Sequence, residues 1–285
     1  GSPGLGCGGN RTRPRHPSVR TSPRAGPGSP ARPRLRSPRR FWKLPRETVA
    51  VIHHGVDHGR FFPVIHEIAK STGLNHFGLD RPFFLYVARL EYPAKNHLRL
   101  IAAFEQFKAE TGSSWQLVLA GGDWHGAETV HAAINKSLFA GDIRSLGFVP
   151  EADLPLLYRA AEAFVYPSLY EGFGMPPIEA MACGCPVLCS TRGALGEIVG
   201  KAAVTIDPED VSALKTQLAL LASDGRLREQ LRAKGLERAR QFDWQRTVAR
   251  TLEVYARAAA KVKSKGEHLL LQSSPARLGS MPRHI

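Results

Sequence analysis

Acidic residues are missing from the first part of the chain. Residues 1–46 carry twelve Arg and Lys side chains and nine prolines but no Asp or Glu. They also have hardly any large apolar residue before Phe41, so a packed core could not offset the entropy lost on folding, and a disordered tail is predicted. The net charge of +14 belongs to this tail, because the rest of the chain has 27 basic and 25 acidic side chains. The charge leaves open a contact of residues 1–46 with nucleic acid or anionic lipid.

Long apolar runs are lacking as well. Nowhere do 18 apolar residues follow one another, so no transmembrane helix is expected, and no apolar segment near the N-terminus has the pattern of a secretory signal. The prolines of residues 1–46 oppose the amphipathic helix of a transit peptide. An extraneous leader, even one translated in the wrong frame, explains the tail at least as well.

Cysteine is scarce, with four residues in a chain of 285. This number does not make a disulfide framework at this length. Cys183, Cys185 and Cys189 are close in sequence and leave a zinc site open, although no cluster of histidines accompanies them. Small buried thiols in a reducing cytoplasm, and no bound metal, are the expectation.

From residue 81 onwards the sequence alternates short apolar runs with helical stretches. Residues 83–88 are apolar on both faces, which is typical of a buried parallel strand. Strands that alternate with helices form βαβ units, so the predicted fold class is α/β, a Rossmann-like parallel sheet with helices on both faces. Further strands are predicted at 116–120, 143–147, 163–166 and 186–189, and a short first strand at 49–52.

The stretch 165–184 carries the strongest pattern in the chain. A buried strand ends at Pro167, a glycine loop follows, and two prolines at 176 and 177 suit the first turn of a helix. Gly172 and Gly174 let the backbone pass close to a ligand. Free N–H groups and the positive end of the helix dipole then meet at one point, which makes an anion site.

Two carboxylates bracket this loop. Glu171 lies on the loop and Glu179 in the predicted first helical turn, so both can face one crevice. A carboxylate pair beside an anion site suits a ligand with phosphate and many hydroxyls, such as a sugar nucleotide. Taken singly, Glu171 is equally well explained as a solvated side chain, and Glu179 as a residue favoured by the helix dipole.

Two cations follow the strand at 83–88. Arg89 and Lys95 lie between this strand and a helix, at the carboxyl edge of the sheet, where ligands bind in open α/β folds. Two surface cations alone are more often merely solvated. Gly121 and Gly122 form a turn after the next strand that can line the same edge, but they fall short of the dinucleotide fingerprint.

These segments together resemble one known family. Glu171-Gly-Phe-Gly, followed by Pro177-Ile-Glu-Ala-Met-Ala182, closely resembles the E-x7-E signature of retaining glycosyltransferases of family 4, the group 1 glycosyl transferases. Arg89–Asn96 resembles the diphosphate-binding loop of that family, and Gly147–Pro150 the loop that borders its nucleotide base. His54–Asp57 is similar to the segment that opens its donor-binding domain, with His54 in place of the usual Asn. His53 and His54 leave a ligand site open, although a turn with a solvated imidazole explains them as well.

The resemblance covers residues 49–256 and implies the C-terminal, donor-binding half of a two-domain B-type fold. It implies that Arg89 and Lys95 neutralise the donor diphosphate and that Glu171 holds hydroxyls of the donor sugar. Glu179 would bind the nucleotide ribose, and the family usually needs no metal. Together with the glycine turns described above, the remaining predicted donor-binding residues are Gly121, Gly122, Phe148, Val149, Gly172, Phe173 and Gly174.

The predicted organisation has four segments. Residues 1–46 form a disordered tail, 47–80 a linker with the first strand, 81–262 a nucleotide-sugar-binding domain with C-terminal helices, and 263–285 a second disordered tail. In the C-terminal helices, one stripe of leucines is expected to be core or interface. A second stripe begins at Trp244 and is expected to be only partly covered.

The resemblance implies transfer of a hexose from a UDP- or GDP-linked sugar to an acceptor, with retention of configuration. The nucleotide sugar is then a substrate, and no cofactor is expected. The acceptor would be a glycan or a lipid-linked saccharide, in the cytoplasm or at the inner face of the membrane. Because the family's acceptor domain should precede Val49, a partner domain or self-association is expected to complete the enzyme. A non-catalytic or epimerase-like sugar-nucleotide-binding module is the alternative, and no specific nucleic acid is expected.

Overall fold

A computed structural model describes residue 45 and residues 48–272, with side chains described as far as residue 262. All of the described residues fall within one compact unit. The basic tail predicted for residues 1–46 lies outside the described residues, except for Pro45. None of the described helices is long and apolar enough to cross a membrane.

Six parallel strands form one sheet in the order β3-β2-β1-β4-β5-β6. Since the connections run in opposite directions on either side of β1 and β4, the carboxyl ends of these two strands flank the crevice in which such folds bind ligands. The strands are β1 (Phe83–Val87), β2 (Gln116–Ala120), β3 (Ile143–Gly147), β4 (Ala163–Tyr166), β5 (Val187–Ser190) and β6 (Val204–Ile206).

Helices connect the strands and cover both faces of the sheet, which confirms the predicted α/β class. Each connection from one parallel strand to the next contains a helix, as is usual in βαβ units. The helices are α1 (His66–Phe77), α2 (His97–Thr111), α3 (Ala127–Lys136), α4 (Leu154–Ala160), α5 (Met175–Ala182), α6 (Leu195–Val199), α7 (Val211–Ser223), α8 (Gly225–Ala239) and α9 (Trp244–Gln272).

The core lies on both sides of the central strands. Every residue of β2 and β4 is buried, because helices cover both faces of a parallel sheet. The predicted apolar stripe of α2 is buried, and so is the leucine stripe of α7, which is therefore core. Burying one such side chain stabilises the fold by about 1.5–3 kcal/mol. The two stripes are Leu100, Phe104 and Phe107, and Leu214, Leu218 and Leu221.

The segment before β1 differs from its prediction. Residues 49–52 do not form a strand, because no neighbouring strand pairs with them among the described residues; the nearest regular contact is a single parallel bridge from Val56 to Asp243. Residues 66–77, predicted as linker, form α1 and pack against α4. Helix α1 buries only Ala69 and Gly73, so no apolar stripe marked it in the sequence.

The end of the chain also differs from its prediction. Helix α9 continues to Gln272, so residues 263–272 are helical and not the tail that was expected, while 273–285 lie outside the described residues. The stripe on α9 is exposed along its whole described length. The exposed fractions are 48% for Trp244, 53% for Val248, 59% for Leu252 and 66% for Tyr255.

Candidate functional site

The loops that follow β4 and β5 border a cleft of about 790 Å³. The loop after β4 contributes Glu171, Gly172 and Phe173, and the loop after β5 contributes residues 192–194. The segment before α1 closes one side with His53 and His54. The strongest motif of the sequence therefore lies at the carboxyl edge of the sheet and faces open space.

Glu171 is held by three hydrogen-bond donors on a single carboxylate oxygen. Its Oε1 accepts from Lys95 Nζ at 2.7 Å, from the Tyr166 hydroxyl at 2.8 Å and from Ser168 Oγ at 2.8 Å. Lys95 and Glu171 are both mostly buried, so their ion pair is shielded from water and stronger than a surface pair. The hydroxyl of Tyr86 donates to the Lys95 carbonyl at 2.6 Å and fixes the loop that carries the lysine.

The glycines of the loop have two different roles. Gly174 precedes α5 with φ 101°, and a Cβ there would lie 2.5 Å from Leu195 Cδ2, so only glycine fits. A Cβ on Gly172 would meet nothing within 4 Å. Within the described residues, no acceptor takes the backbone N–H of Phe173 or Gly174. The loop thus presents unpaired donors at the N-terminus of α5, as an anion site requires.

Glu179 is a half-buried carboxylate in the second turn of α5, not in the first turn as predicted. Its Oε2 accepts a hydrogen bond from the Tyr158 hydroxyl at 3.0 Å. Burial raises the pKa of Glu179 above its usual value, and the Tyr158 hydrogen bond only partly opposes this. Glu179 is not one of the residues that line the 790 Å³ cleft, so the two carboxylates do not share it.

Tyr166 lies at the end of β4, close to both carboxylates. Burial, reinforced by the negative charges of Glu171 and Glu179, raises its pKa far above the usual tyrosine value. Burial and the neighbouring Glu179 likewise raise the pKa of Tyr158 well above the usual tyrosine value. Both tyrosines therefore stay protonated and act as hydrogen-bond donors.

Arg89 does not join Lys95 in this structure. Its guanidinium donates to Glu91 Oε2 at 3.2 Å and stacks 4.5 Å above the ring of Trp124. The arginine is about half exposed. The two cations predicted to act together are thus each paired with a different carboxylate.

Asn96 joins the loops at the carboxyl edge. It has φ 60°, a left-handed conformation that Asn tolerates better than most residues. Its buried Nδ2 donates to the carbonyls of Pro167 at 2.9 Å and Pro208 at 2.8 Å. Asn96 therefore ties the loop after β1 to the loops after β4 and β6, and so helps to fix Lys95 next to Glu171.

The two glycines predicted to line the site and the loop predicted to border the base lie near the ends of β2 and β3, respectively. Gly121 is required by packing, since a Cβ would lie 1.9 Å from the Ala88 carbonyl oxygen. Gly122 faces the Cβ of Phe148, whose ring is exposed, whereas the side chain of Val149 is buried.

The two remaining candidate groups are the histidine pair at the cleft and the three cysteines. His53 Nε2 lies 3.2 Å from Glu197 Oε1, and His54 contacts the Phe173 ring edge-on with 5.0 Å between centroids. Cys183, Cys185 and Cys189 are buried as predicted, and burial raises the pKa of each thiol. The described residues contain no group of three or more His, Cys, Asp or Glu that could hold a metal ion.

The residues that hold the carboxylates were not predicted from the sequence. Tyr166 and Ser168 stand directly beside the motif, and Tyr158 lies on the preceding helix. The available signal was the presence of hydroxyl side chains at the end of an otherwise apolar strand. Buried hydroxyl groups need hydrogen-bond partners, so such residues indicate a contact with another polar group. Their partners could not be assigned without the tertiary structure.

A parallel sheet in this order, with the glycine loop and two carboxylates at its carboxyl edge, defines the Rossmann-like half of a B-type glycosyltransferase fold. The family model of "Glycosyl transferases group 1" matches residues 71–238, and the chain belongs to that family. The predicted resemblance is thereby confirmed.

Two curated relatives show how much of the chain is shared. The O-antigen chain mannosyltransferase B of Escherichia coli is 40% identical over 173 residues, which cover 61% of this chain and 45% of the relative. The D-inositol 3-phosphate glycosyltransferase of Salinispora tropica is 33% identical over 231 residues, which cover 76% of this chain and 48% of the relative. The chain thus spans about half the length of these relatives.

Solved structures share the fold. Sucrose-phosphate synthase from Thermosynechococcus elongatus superposes with a TM-score of 0.69 and 26% identity, over 80% of this chain and 57% of that one. HepE of Anabaena, solved with UDP and glucose, superposes with a TM-score of 0.65 and 23% identity, over 73% of this chain and 56% of that one. The C-terminal domain of a group 1 family protein from Francisella tularensis superposes with a TM-score of 0.58 and 22% identity, and 66% of this chain covers 97% of that domain.

Proposed function

We propose that this chain is the donor-binding half of a retaining glycosyltransferase that transfers a hexose from a UDP- or GDP-linked sugar. The observation that carries the proposal is the pairing of Lys95 with Glu171 beside the unpaired N–H groups of the glycine loop. A cation, a hydroxyl-binding carboxylate and an anion site within one loop cluster fit a diphosphate that is joined to a sugar. The named activities of the relatives support the same reaction class.

Each residue has one proposed role. Lys95 neutralises the donor diphosphate, and Arg89 joins it after leaving Glu91. Both cations then stabilise the charge that develops on the leaving group. Glu171 binds hydroxyls of the sugar, and Glu179 binds the ribose.

The backbone completes the proposed donor site. The N–H groups of Phe173 and Gly174 contact the sugar or phosphate, and Gly172 leaves room for it. The edge formed by Gly121, Gly122, Phe148 and Val149 borders the base.

The acceptor is proposed from the relatives' named activities, which include assembly of an O-antigen chain. It is a glycan or a lipid-linked saccharide, in the cytoplasm or at the inner face of the membrane. A partner that supplies the acceptor half, or a second copy of the chain, completes the enzyme. The expectation that no metal takes part stays a prediction, and nucleotide binding with and without Mg²⁺ tests it.

Isothermal titration of the 285-residue chain with UDP, GDP, UDP-glucose and GDP-mannose tests the proposal. We expect one nucleotide pair to bind, with the sugar form tighter than its diphosphate. Binding without any transfer or donor hydrolysis, even after the acceptor half of a relative is added, would favour the non-catalytic or epimerase-like alternative. No binding of any of the four would contradict the proposal.

A further inference from the structure

We propose that Tyr166 and Ser168 are positioning residues that hold Glu171 ready for the donor sugar while Lys95 leaves it for the diphosphate. The inference rests on the proposed function and extends it to two residues with no role in the resemblance. Its physical basis is that three donors converge on Glu171 Oε1 and that the three differ in what else they can do.

Lys95 is the donor that can leave. Its ammonium ends a flexible stem, and the proposed site needs it on the donor diphosphate. A diphosphate carries more negative charge than one carboxylate, so it competes well for the lysine. When Lys95 moves, Glu171 loses its counter-charge and one of its three hydrogen bonds.

Tyr166 and Ser168 are the donors that stay. Both are buried, with 2% and 0% of their surface exposed. The ring of Tyr166 stacks on Phe164 at 5.6 Å and packs near Tyr86 at 5.4 Å, so its hydroxyl cannot swing away. Ser168 stands three residues before Glu171 on the same loop. Two fixed hydroxyls therefore keep Oε1 in place after the lysine has gone.

The other carboxylate oxygen is left for the ligand. Within the described residues, Oε2 of Glu171 receives no hydrogen bond, and Glu171 lines the 790 Å³ cleft. Because a carboxylate can accept about four hydrogen bonds, a sugar hydroxyl can bind to Oε2 without displacing any protein donor. The arrangement thus presents one oxygen to the sugar by fixing the other.

The test compares three hydroxyl deletions, two that act on Glu171 and one that acts on Glu179. Tyr166→Phe and Ser168→Ala remove one donor each from Glu171, and Tyr158→Phe removes the donor of Glu179 as the matched control. The measured quantity is the sugar increment, the ratio of the Kd for UDP to that for UDP-glucose, or of GDP to GDP-mannose. Titration calorimetry on the 285-residue chain gives both constants, and unfolding scans check that each variant is folded.

We expect Tyr166→Phe and Ser168→Ala to lower the sugar increment by about tenfold each, with the Kd for the nucleoside diphosphate unchanged. Tyr158→Phe should instead weaken the nucleoside diphosphate and leave the increment intact. In a Glu171→Gln background, Tyr166→Phe should have no further effect on the increment, since a positioning residue acts only through its partner.

An equal loss of both ligands in Tyr166→Phe, or a full effect that persists beside Glu171→Gln, would overturn the positioning role and leave the proposed function standing. A wild-type chain that binds none of the four nucleotides would overturn the proposed function, and this inference with it. Because Phe keeps the aromatic packing of Tyr166, misfolding is not expected to obscure the result.

Discussion

At the scale of single residues, the proposed phosphate-binding cations of the site are both in ion pairs. Lys95 is held by Glu171, and Arg89 by Glu91, so each proposed phosphate-binding cation is already neutralised before a ligand arrives. A ligand must therefore exchange partners and does not meet free charges. The cost of that exchange differs between the two cations, because the Lys95 pair is mostly buried and Arg89 is about half exposed.

Replacing Lys95 with Ala should weaken nucleoside diphosphate binding by about 1.5–3 kcal/mol, the value of a charge-assisted hydrogen bond. Arg89→Ala should cost less, since its guanidinium is better solvated and already engaged by Trp124. Lys215→Ala is the control, because that lysine pairs with Glu110, does not line the cleft and should not alter binding. Calorimetry with UDP and GDP gives the three values, and unchanged affinity in Lys95→Ala would remove the phosphate role.

Glu179 should destabilise the folded chain at neutral pH. Its folded pKa lies above the ordinary value of 4.5, so the unfolded chain loses this proton first and stability falls as the pH rises from 4.5 through the folded pKa. Glu179→Gln removes that cost while keeping an acceptor for Tyr158. We expect a higher Tm than wild type at neutral pH, no difference below pH 4.5, and weaker nucleoside diphosphate binding. A lower Tm at neutral pH would show that the charge stabilises the fold.

At the scale of elements, the strand–loop–helix unit from β4 to α5 combines a rigid glycine with a permissive one. Gly174 is fixed by its φ of 101° and by its contact with Leu195. Gly172 has open space where a side chain would be. Replacing each glycine with Ala therefore distinguishes the position where the fold requires glycine, Gly174, from the position where ligand binding would require it, Gly172.

Gly174→Ala should lower the free energy of unfolding by about 1–2 kcal/mol or more, from the left-handed backbone and the clash with Leu195. Gly172→Ala should leave stability within about 0.5 kcal/mol, since surface substitutions away from special contacts cost little. It should still weaken binding of UDP-glucose or GDP-mannose, because its methyl group enters the cleft. Chemical unfolding and titration of both variants decide this, and a Gly172→Ala chain with normal sugar-nucleotide affinity would exclude the loop from the donor site.

The elements that the sequence predicted are those with strong local patterns. Strands β1, β2, β4 and β5 are largely apolar runs, and α2 and α7 carry regular apolar stripes, whereas β3 is more polar and was predicted from its place between two helical stretches. Strand β6 was missed because three residues are too few to show a pattern, and α1 because it buries only small residues. The false strand at 49–52 shows the reverse error, an apolar run without a partner to pair with. The site motif was predicted, but the donors of Glu171 come from the loop after β1, the end of β4 and the loop after β4, and only the folded chain brings them together.

At the scale of the whole molecule, the chain exposes apolar surface next to its cleft. The stripe from Trp244 to Tyr255 on α9 stays uncovered, as the sequence analysis expected for part of it. Trp244 reaches His54, with 6.2 Å between ring centroids, so the stripe begins at the wall of the cleft. Continuous apolar surface beside a binding cleft marks an interaction surface. Since the match covers only 45% and 48% of the two relatives, we expect the half that lies outside the match to occupy it.

We expect the purified chain to bind a nucleotide sugar but to catalyse almost no hydrolysis or transfer of the sugar. The donor contacts proposed here all lie within the described residues, so binding should survive. The acceptor must be oriented from the opposite side of the cleft, and positioning of that kind contributes about 7–11 kcal/mol to catalysis. Assays of donor hydrolysis and sugar transfer on the purified chain should therefore give rates close to background.

Adding the separately expressed N-terminal half of the Escherichia coli mannosyltransferase should raise the transfer rate. Leu252→Asp should block that rescue without changing nucleotide affinity, because a charge in the exposed apolar stripe opposes docking. Arg257→Asp makes a similar change about 140° further round the same helix and should allow the rescue. Fast transfer with retention by the chain alone, as a monomer, would contradict the half-enzyme interpretation, since it would require an acceptor site within this half.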